Sequence, residues 1–182
     1  MTKVKILIEG YTADNNSNNG ICPTITLVKD KNIIMIVDPG LLKNPSLLIT
    51  KLKENNLTVN DITHVCITHS HMDHYRNIGM FPKAEAVDYW GRWKEDKLTP
   101  FQEKFSNNIK LINTPGHSYD SITLLVNTKE GIIAICGDVF WKKDFPKDDK
   151  YAQDKKTLEI NRKKLLVIAD KIIPGHGKMF KT

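Results

Sequence analysis

Three cysteines in 182 residues, Cys22, Cys66 and Cys136, are too few and too widely spaced for a disulfide framework. Set mostly among apolar neighbours, they suit buried thiols in a reducing compartment, and a cytoplasmic location is expected from them. Long hydrophobic runs are missing as well. The longest, such as Ile33–Val37 and Ile132–Cys136, are far too short to cross a bilayer, so no membrane partner is expected. Met1-Thr2-Lys3-Val4-Lys5 carries no apolar signal core and no small-residue cleavage site. Internal repeats and composition breaks are absent too, and a single domain over residues 1–182 is expected, long enough to bury a core without cross-links. No block of five or six like charges occurs. The net charge of +6 tilts the substrate towards anions, yet it is spread along the chain as on any lysine-rich surface.

What is present is a mixture of strand and helix patterns without strict alternation. Val4–Ile8, Thr24–Val28 and Ile33–Val37 are apolar runs of strand length, the last two joined by a turn at Lys29–Asn32. Asn-rich residues 14–19 form a loop by composition, a candidate lid. Pro45–Asn55 has helical spacing, with Leu47, Leu48, Ile49 and Leu52 as its apolar face. Strands are expected at Ile62–Thr68, Ala84–Asp88, Lys110–Asn113, Ser121–Asn127 and Gly131–Cys136. A second helix, Thr157–Ala169, would turn Leu158, Leu165, Leu166 and Ala169 inwards and leave Arg162, Lys163 and Lys164 on its outer face. Ile172–Ile173 ends the series. The pattern implies an α+β fold, two sheets covered by helices.

Three of the six histidines fall in His69-Ser70-His71-Met72-Asp73-His74, directly after a short buried strand. His69 and His71 would diverge by about 200° on a helix, but an extended segment leaving a strand lets them converge. His117 in Thr114-Pro115-Gly116-His117, Asp138 in Cys136-Gly137-Asp138 and His176 in Pro174-Gly175-His176-Gly177 share one setting. Each is a metal-binding residue type at the end of a strand, beside glycine or proline that lets the chain turn sharply. Singly, such residues are more often caps or turn formers. As a set with His69–His74 they amount to five histidines and two aspartates, and only His64 is left over. Imidazole and carboxylate donors without thiolate suit zinc, with iron and manganese as alternatives, and seven donors suit two metals sharing one carboxylate.

The segment His69–His74 is a form of the HxHxDH signature, and the chain resembles the metallo-β-lactamase superfamily. His117, Asp138 and His176 follow in that family's order, and Asp38 in Val37-Asp38-Pro39-Gly40 resembles its structural aspartate. The resemblance implies an αββα sandwich of two mixed sheets flanked by helices. It further implies a dinuclear hydrolase with two zinc ions. His69, His71 and His117 would hold one, Asp73, His74 and His176 the other, and Asp138 would bridge them. A bridging hydroxide would be the nucleophile, with Asp73 as the catalytic residue that orients it. Asp138 in place of cysteine argues against a dedicated β-lactamase. With six residues after His176, no C-terminal thioester-binding helical domain is expected. Gly137-Asp138-Val139-Phe140, the segment 161–170 and Ile173–Gly177 resemble a branch of the family regarded as acting on RNA. That implies a phosphodiester substrate, RNA or single-stranded DNA. Two segments could line its groove, Phe140-Trp141-Lys142-Lys143 with Phe145 and Tyr151, and Tyr89-Trp90-Gly91-Arg92-Trp93. Aromatics at loop edges also commonly seal a core. Two other chemistries fit the same fold, cleavage of a thioester, lactone or other small ester, and a mononuclear iron oxygenase of the persulfide type.

Overall fold

The computed structural model describes residues 2–13 and 20–182, so the candidate lid at 14–19 lies outside the described residues. Two sheets face one another. The first runs in spatial order through β1 (Lys3–Ile8), β2 (Ile25–Asp30), β3 (Ile33–Val37), β4 (His64–Cys66), β5 (Glu85–Asp88), β6 (Gly91–Lys94) and β7 (Lys97–Pro100). Pairing is antiparallel except across β3–β4 and β4–β5, which are parallel. The second sheet has β8 (Ile109–Asn113), β9 (Ile122–Thr128), β10 (Gly131–Ile135), β11 (Lys171–Ile173) and β12 (Phe180–Lys181) in the order β12-β11-β10-β9-β8. Only β10–β11 is parallel. Helix α1 (Ser46–Lys53) covers the first sheet, α3 (Lys155–Ile168) covers the second, and the single turn α2 (Met72–Tyr75) sits at the rim. This is the expected αββα sandwich.

Strand alternation explains the layers. In β2 and β3, Leu27 and Ile36 face α1 with Leu48 and Leu52. Val28, Met35 and Val37 face the other way, against Leu111, Leu124, Val126 and Ile133 of the second sheet. In β10, Ala134 turns out to Leu158 and Leu165 of α3, while Ile133 and Ile135 turn in. Both faces of these strands are buried, so they appear in sequence as unbroken apolar runs. Each fully buried leucine contributes roughly 2 kcal/mol of transfer free energy. All three cysteines are buried and free.

Several expectations need correction. Leu47 and Ile49 of α1 are exposed, because an eight-residue helix over a sheet can bury only one narrow stripe. Leu166 of α3 is exposed, whereas Asn161 and Arg162 are buried. Arg162 is therefore not an outer-face charge. Its Nε donates to the Val139 carbonyl at 2.8 Å, and its guanidinium lies over Phe140. Asn161 Nδ2 donates to the Pro115 carbonyl at 2.7 Å. Both side chains satisfy backbone groups of turns that carry site residues, and this is why polar residues occupy the inner face. The hairpin β6–β7 was not anticipated, since Gly91–Pro100 has mostly exposed residues and no apolar alternation.

Candidate metal centre

The parallel pairs point the strand ends that carry chemistry to one rim. Asp38 follows β3, His69 follows β4, His117 follows β8, Asp138 follows β10 and His176 follows β11. After β4 the chain bends at Thr68–His69 and is extended at His71 (φ −77°, ψ 137°), which precedes α2, and Asp73 and His74 lie in that turn of helix. His69 and His71 can therefore converge, as the two-residue spacing required.

All seven expected donors are brought together. Ligating atoms of His69, His71, His117 and Asp138 lie within 4.8 Å of one another, and so do those of Asp73, His74 and His176. Asp138 divides its oxygens between the groups. Oδ1 is 3.3 Å from both His74 Nε2 and His176 Nε2, and Oδ2 is 3.5 Å from His117 Nε2 and 4.0 Å from His69 Nε2. His64 is elsewhere, against Thr63, Glu85 and Phe105.

Four of these buried atoms, His69 Nε2, Asp73 Oδ2, His74 Nε2 and Asp138 Oδ1, have no hydrogen-bond partner among the described residues. Burying a polar atom unpaired costs about 1–3 kcal/mol. Four such atoms gathered within the two donor groups suit cations, so the donor set fits two metal ions.

The opposite nitrogens of the rings are held from behind. His74 Nδ1 lies 2.8 Å from Asp38 Oδ2, which also accepts from Thr68 Oγ1, while Asp38 Oδ1 accepts from the Thr68 amide. His117 Nδ1 is 2.8 Å from Asp149 Oδ2, and His176 Nδ1 is 2.9 Å from the Cys22 carbonyl. Such partners fix which ring nitrogen is free to bind metal. Asp38 was anticipated as a structural residue. Asp149 and Thr68 were missed, because one sits in the acidic loop 148–149 and the other reads as an ordinary strand residue. Asp120, also missed, accepts from the Ser70 amide and from Ser118 Oγ and so ties the His69–His71 segment to the loop carrying His117.

Burial, and then the neighbouring His74, hold His69 well below the usual imidazole range. Burial and His117 also lower His71. Burial acts in the same direction on His74 and His176, but Asp138, together with Asp38 for His74, outweighs it and raises both. Burial would raise Asp138, yet His176 and His74 carry it well below the carboxylate range.

Two glycines make room. Gly137 adopts φ +51°, and a Cβ there would collide with Thr68. Gly175 leaves space for Asp138 Oδ1, which a Cβ would strike.

Among the described residues, two cavities border the centre. A cleft of about 660 Å³ is lined by His71, Asp73, His117 and Asp138 together with Trp141 and Tyr151, whose rings stack 9° from parallel with centroids 5.7 Å apart. On the His69–Ser70 side, Tyr89, Trp90 and Tyr119 border a cup of about 270 Å³. Both aromatic segments singled out in the sequence thus border the site in part. Trp93 lines neither cavity, and its Nε1 donates to Asp88 Oδ2 at 3.0 Å.

The sequence profile of the Metallo-beta-lactamase superfamily matches residues 23–113, half of the chain, and the chain belongs to that superfamily. Metallo-beta-lactamase domain-containing protein 1 of Xenopus laevis is 29% identical over 98% of this chain and 81% of its own length. A Methanocaldococcus jannaschii protein named as a metallo-hydrolase is 35% identical over 50% of this chain and 45% of its own. Among solved structures, a Thermotoga maritima protein described as a metallo-beta-lactamase superposes with a TM-score of 0.78 at 24% identity, over 100% of this chain and 99% of the other. A dizinc quorum-quenching lactonase superposes with a TM-score of 0.68 at 16% identity, over 85% and 72%. These two likenesses are of fold alone. With its relatives and its donor set, the protein is a metal-dependent hydrolase.

Proposed function

We propose that this hydrolase is a dinuclear zinc enzyme that cleaves phosphodiester bonds in RNA or single-stranded DNA. The observation that carries the two-metal reading is the division of Asp138, one oxygen towards each histidine group. His69, His71 and His117 would hold one ion, and Asp73, His74 and His176 the other. Two such ions lower the pKa of a water between them and neutralise charge on the substrate oxygen. Asp73 is the catalytic residue of the chain. Its carboxylate lines the cleft, and Oδ2 lies 3.5 Å from His176 Nε2 and 3.6 Å from His74 Nε2. It is suited to hold the attacking water by one proton and orient it.

The phosphodiester reading is supported by what borders the cleft. Trp141 and Tyr151 offer stacked rings, Lys150 lies over Tyr151 and Lys142 over Phe145. Bases stack on such rings while lysines follow phosphates. The cup of Tyr89, Trp90 and Tyr119 favours a second reading, a lactone or other small ester with an apolar tail.

Metal analysis of the purified protein, paired with hydrolysis of bis(p-nitrophenyl) phosphate before and after chelation, tests the proposal. About two zinc ions per chain with chelator-sensitive hydrolysis are expected. A small ester cleaved far faster than any nucleic acid would favour the second reading. One iron with oxygen uptake and no phosphodiesterase activity would overturn both and leave the persulfide-type oxygenase.

A further inference from the structure

A second groove lies beside the cleft at the metal centre. That groove, about 650 Å³, lies between the 143–147 loop, α3 and β12, and both cavities are walled by Phe145 and Pro146. Four lysines line the second groove, Lys143 and Lys147 from the loop, Lys163 from α3 and Lys181 from β12. All four are exposed, and among the described residues none has a carboxylate within 4.0 Å. The groove's own acids are Asp144 and Glu159, and Glu159 is already paired with Arg162 at 2.7 Å. Asp148, on the cleft side, is paired with Lys155. Four lysines thus face one acidic side chain not already paired, Asp144, in a groove beside the cleft that Asp73 lines.

We infer that this groove is a backbone track for a single nucleic-acid strand. The strand would stack bases on Trp141 and Tyr151, pass Phe145, and lay its next phosphates against Lys143, Lys147, Lys163 and Lys181. The inference rests on the phosphodiester reading above and extends it to a substrate several nucleotides long, held on one side of the reacting phosphate. A duplex does not suit the path, because paired bases cannot turn onto the Trp141–Tyr151 platform. Lysines contact phosphates without reading bases, so RNA and DNA single strands of one length should bind alike.

The test uses the full-length, metal-loaded protein and a quadruple variant, Lys143→Gln with Lys147→Gln, Lys163→Gln and Lys181→Gln. A control variant removes the same charge elsewhere, with Lys53→Gln, Lys83→Gln, Lys97→Gln and Lys129→Gln. Binding of a labelled 12-nucleotide phosphorothioate oligouridylate is followed by fluorescence polarisation across a salt series. The track variant should bind about tenfold or more weakly, and its log–log salt dependence should flatten by about 2–3, since each phosphate contact on a single strand contributes roughly 0.7. The control should keep wild-type affinity to within about twofold. Equal weakening of both variants, an unchanged salt slope in the track variant, or a duplex bound as tightly as the single strand would each overturn the track. Hydrolysis of bis(p-nitrophenyl) phosphate separates the two levels. If the wild type hydrolyses it and the salt slope does not move, the track alone fails. If the wild type hydrolyses no phosphodiester, the underlying reading fails and takes the track with it.

Discussion

Asp149 and His117, thirty-two residues apart, are joined by a 2.8 Å hydrogen bond in which both side chains are buried. Asp149 belongs to the loop that carries Trp141 and Tyr151, and it also accepts from the Tyr151 amide at 2.9 Å. One carboxylate therefore sets the ring of a metal-binding histidine and the wall of the substrate cleft together. Burial alone would raise Asp149, but the hydrogen bond to His117 brings it below the ordinary carboxylate range, so it accepts as an anion at neutral pH.

Replacing it tests that coupling. Asp149→Ala should weaken metal binding at the His69–His71–His117 group by about 10- to 100-fold, the usual cost of losing such a partner. Asp149→Asn, which keeps an acceptor oxygen but not the charge, should fall between. Competition with a chromogenic chelator reads the affinity directly, and near-ultraviolet circular dichroism reads the packing of Trp141. Unchanged affinity in Asp149→Ala would show that the bond is incidental.

Asp38 plays the corresponding part for His74, and its backbone adds a constraint. It sits at φ +50°, a conformation that asparagine tolerates and that strains most other side chains. Asp38→Asn should therefore keep the turn while removing a buried charge that serves Thr68 and His74. Losing one partner of a buried pair costs about 3–5 kcal/mol. A fall of that size in the unfolding free energy of the metal-free protein is expected from urea titration. A change below about 1 kcal/mol would mean that His74 takes up no charge opposite Asp38.

Much of this was legible in the sequence because it depends on local chemistry. Apolar runs fixed most strands, since a strand buried on both faces has few other ways to read. The seven donors could be named because His117, Asp138 and His176 each follow a strand beside glycine or proline, and because His69, His71, Asp73 and His74 cluster in six residues. What escaped depends on contacts distant in sequence. Arg162 looks like an outward charge on an amphipathic helix until Val139 is found beneath it. Asp149 has no local signal, since its partner lies thirty-two residues earlier. The β6–β7 hairpin is held by its neighbours in the sheet, and its own exposed residues carry little pattern.

The cysteines give a simple check on the core. Burial pushes the thiols of Cys22 and Cys136 up to about 12 and that of Cys66 well above its ordinary value. A raised thiol pKa leaves the unreactive, protonated form dominant until pH passes the shifted value. At pH 8 the native protein should take up no iodoacetamide over minutes, and all three thiols should react once it is denatured. Labelling of any one in the native state would place that cysteine outside the packed core.

The sharpest test of the shared carboxylate removes no donor at all. Gly175 lies just before His176, and its amide donates to the Phe140 carbonyl at 2.8 Å. Its backbone is not in the left-handed region, so alanine would be acceptable there on conformational grounds. The obstacle is spatial, because a Cβ would occupy the position of Asp138 Oδ1, the oxygen that faces His74 and His176. Gly175→Ala must rotate or displace that carboxylate while all seven donor residues remain. The expected result is loss of one of the two metal ions per chain and a drop in turnover of about 100-fold or more, since one misplaced group within a preorganised site costs that much. Gly79→Ala is the matching control, because among the described residues nothing lies within 4 Å of a Cβ at that position. It should keep both metals and full turnover. If Gly175→Ala also keeps two metals and full turnover, the division of Asp138 between the histidine groups is not what holds the second ion.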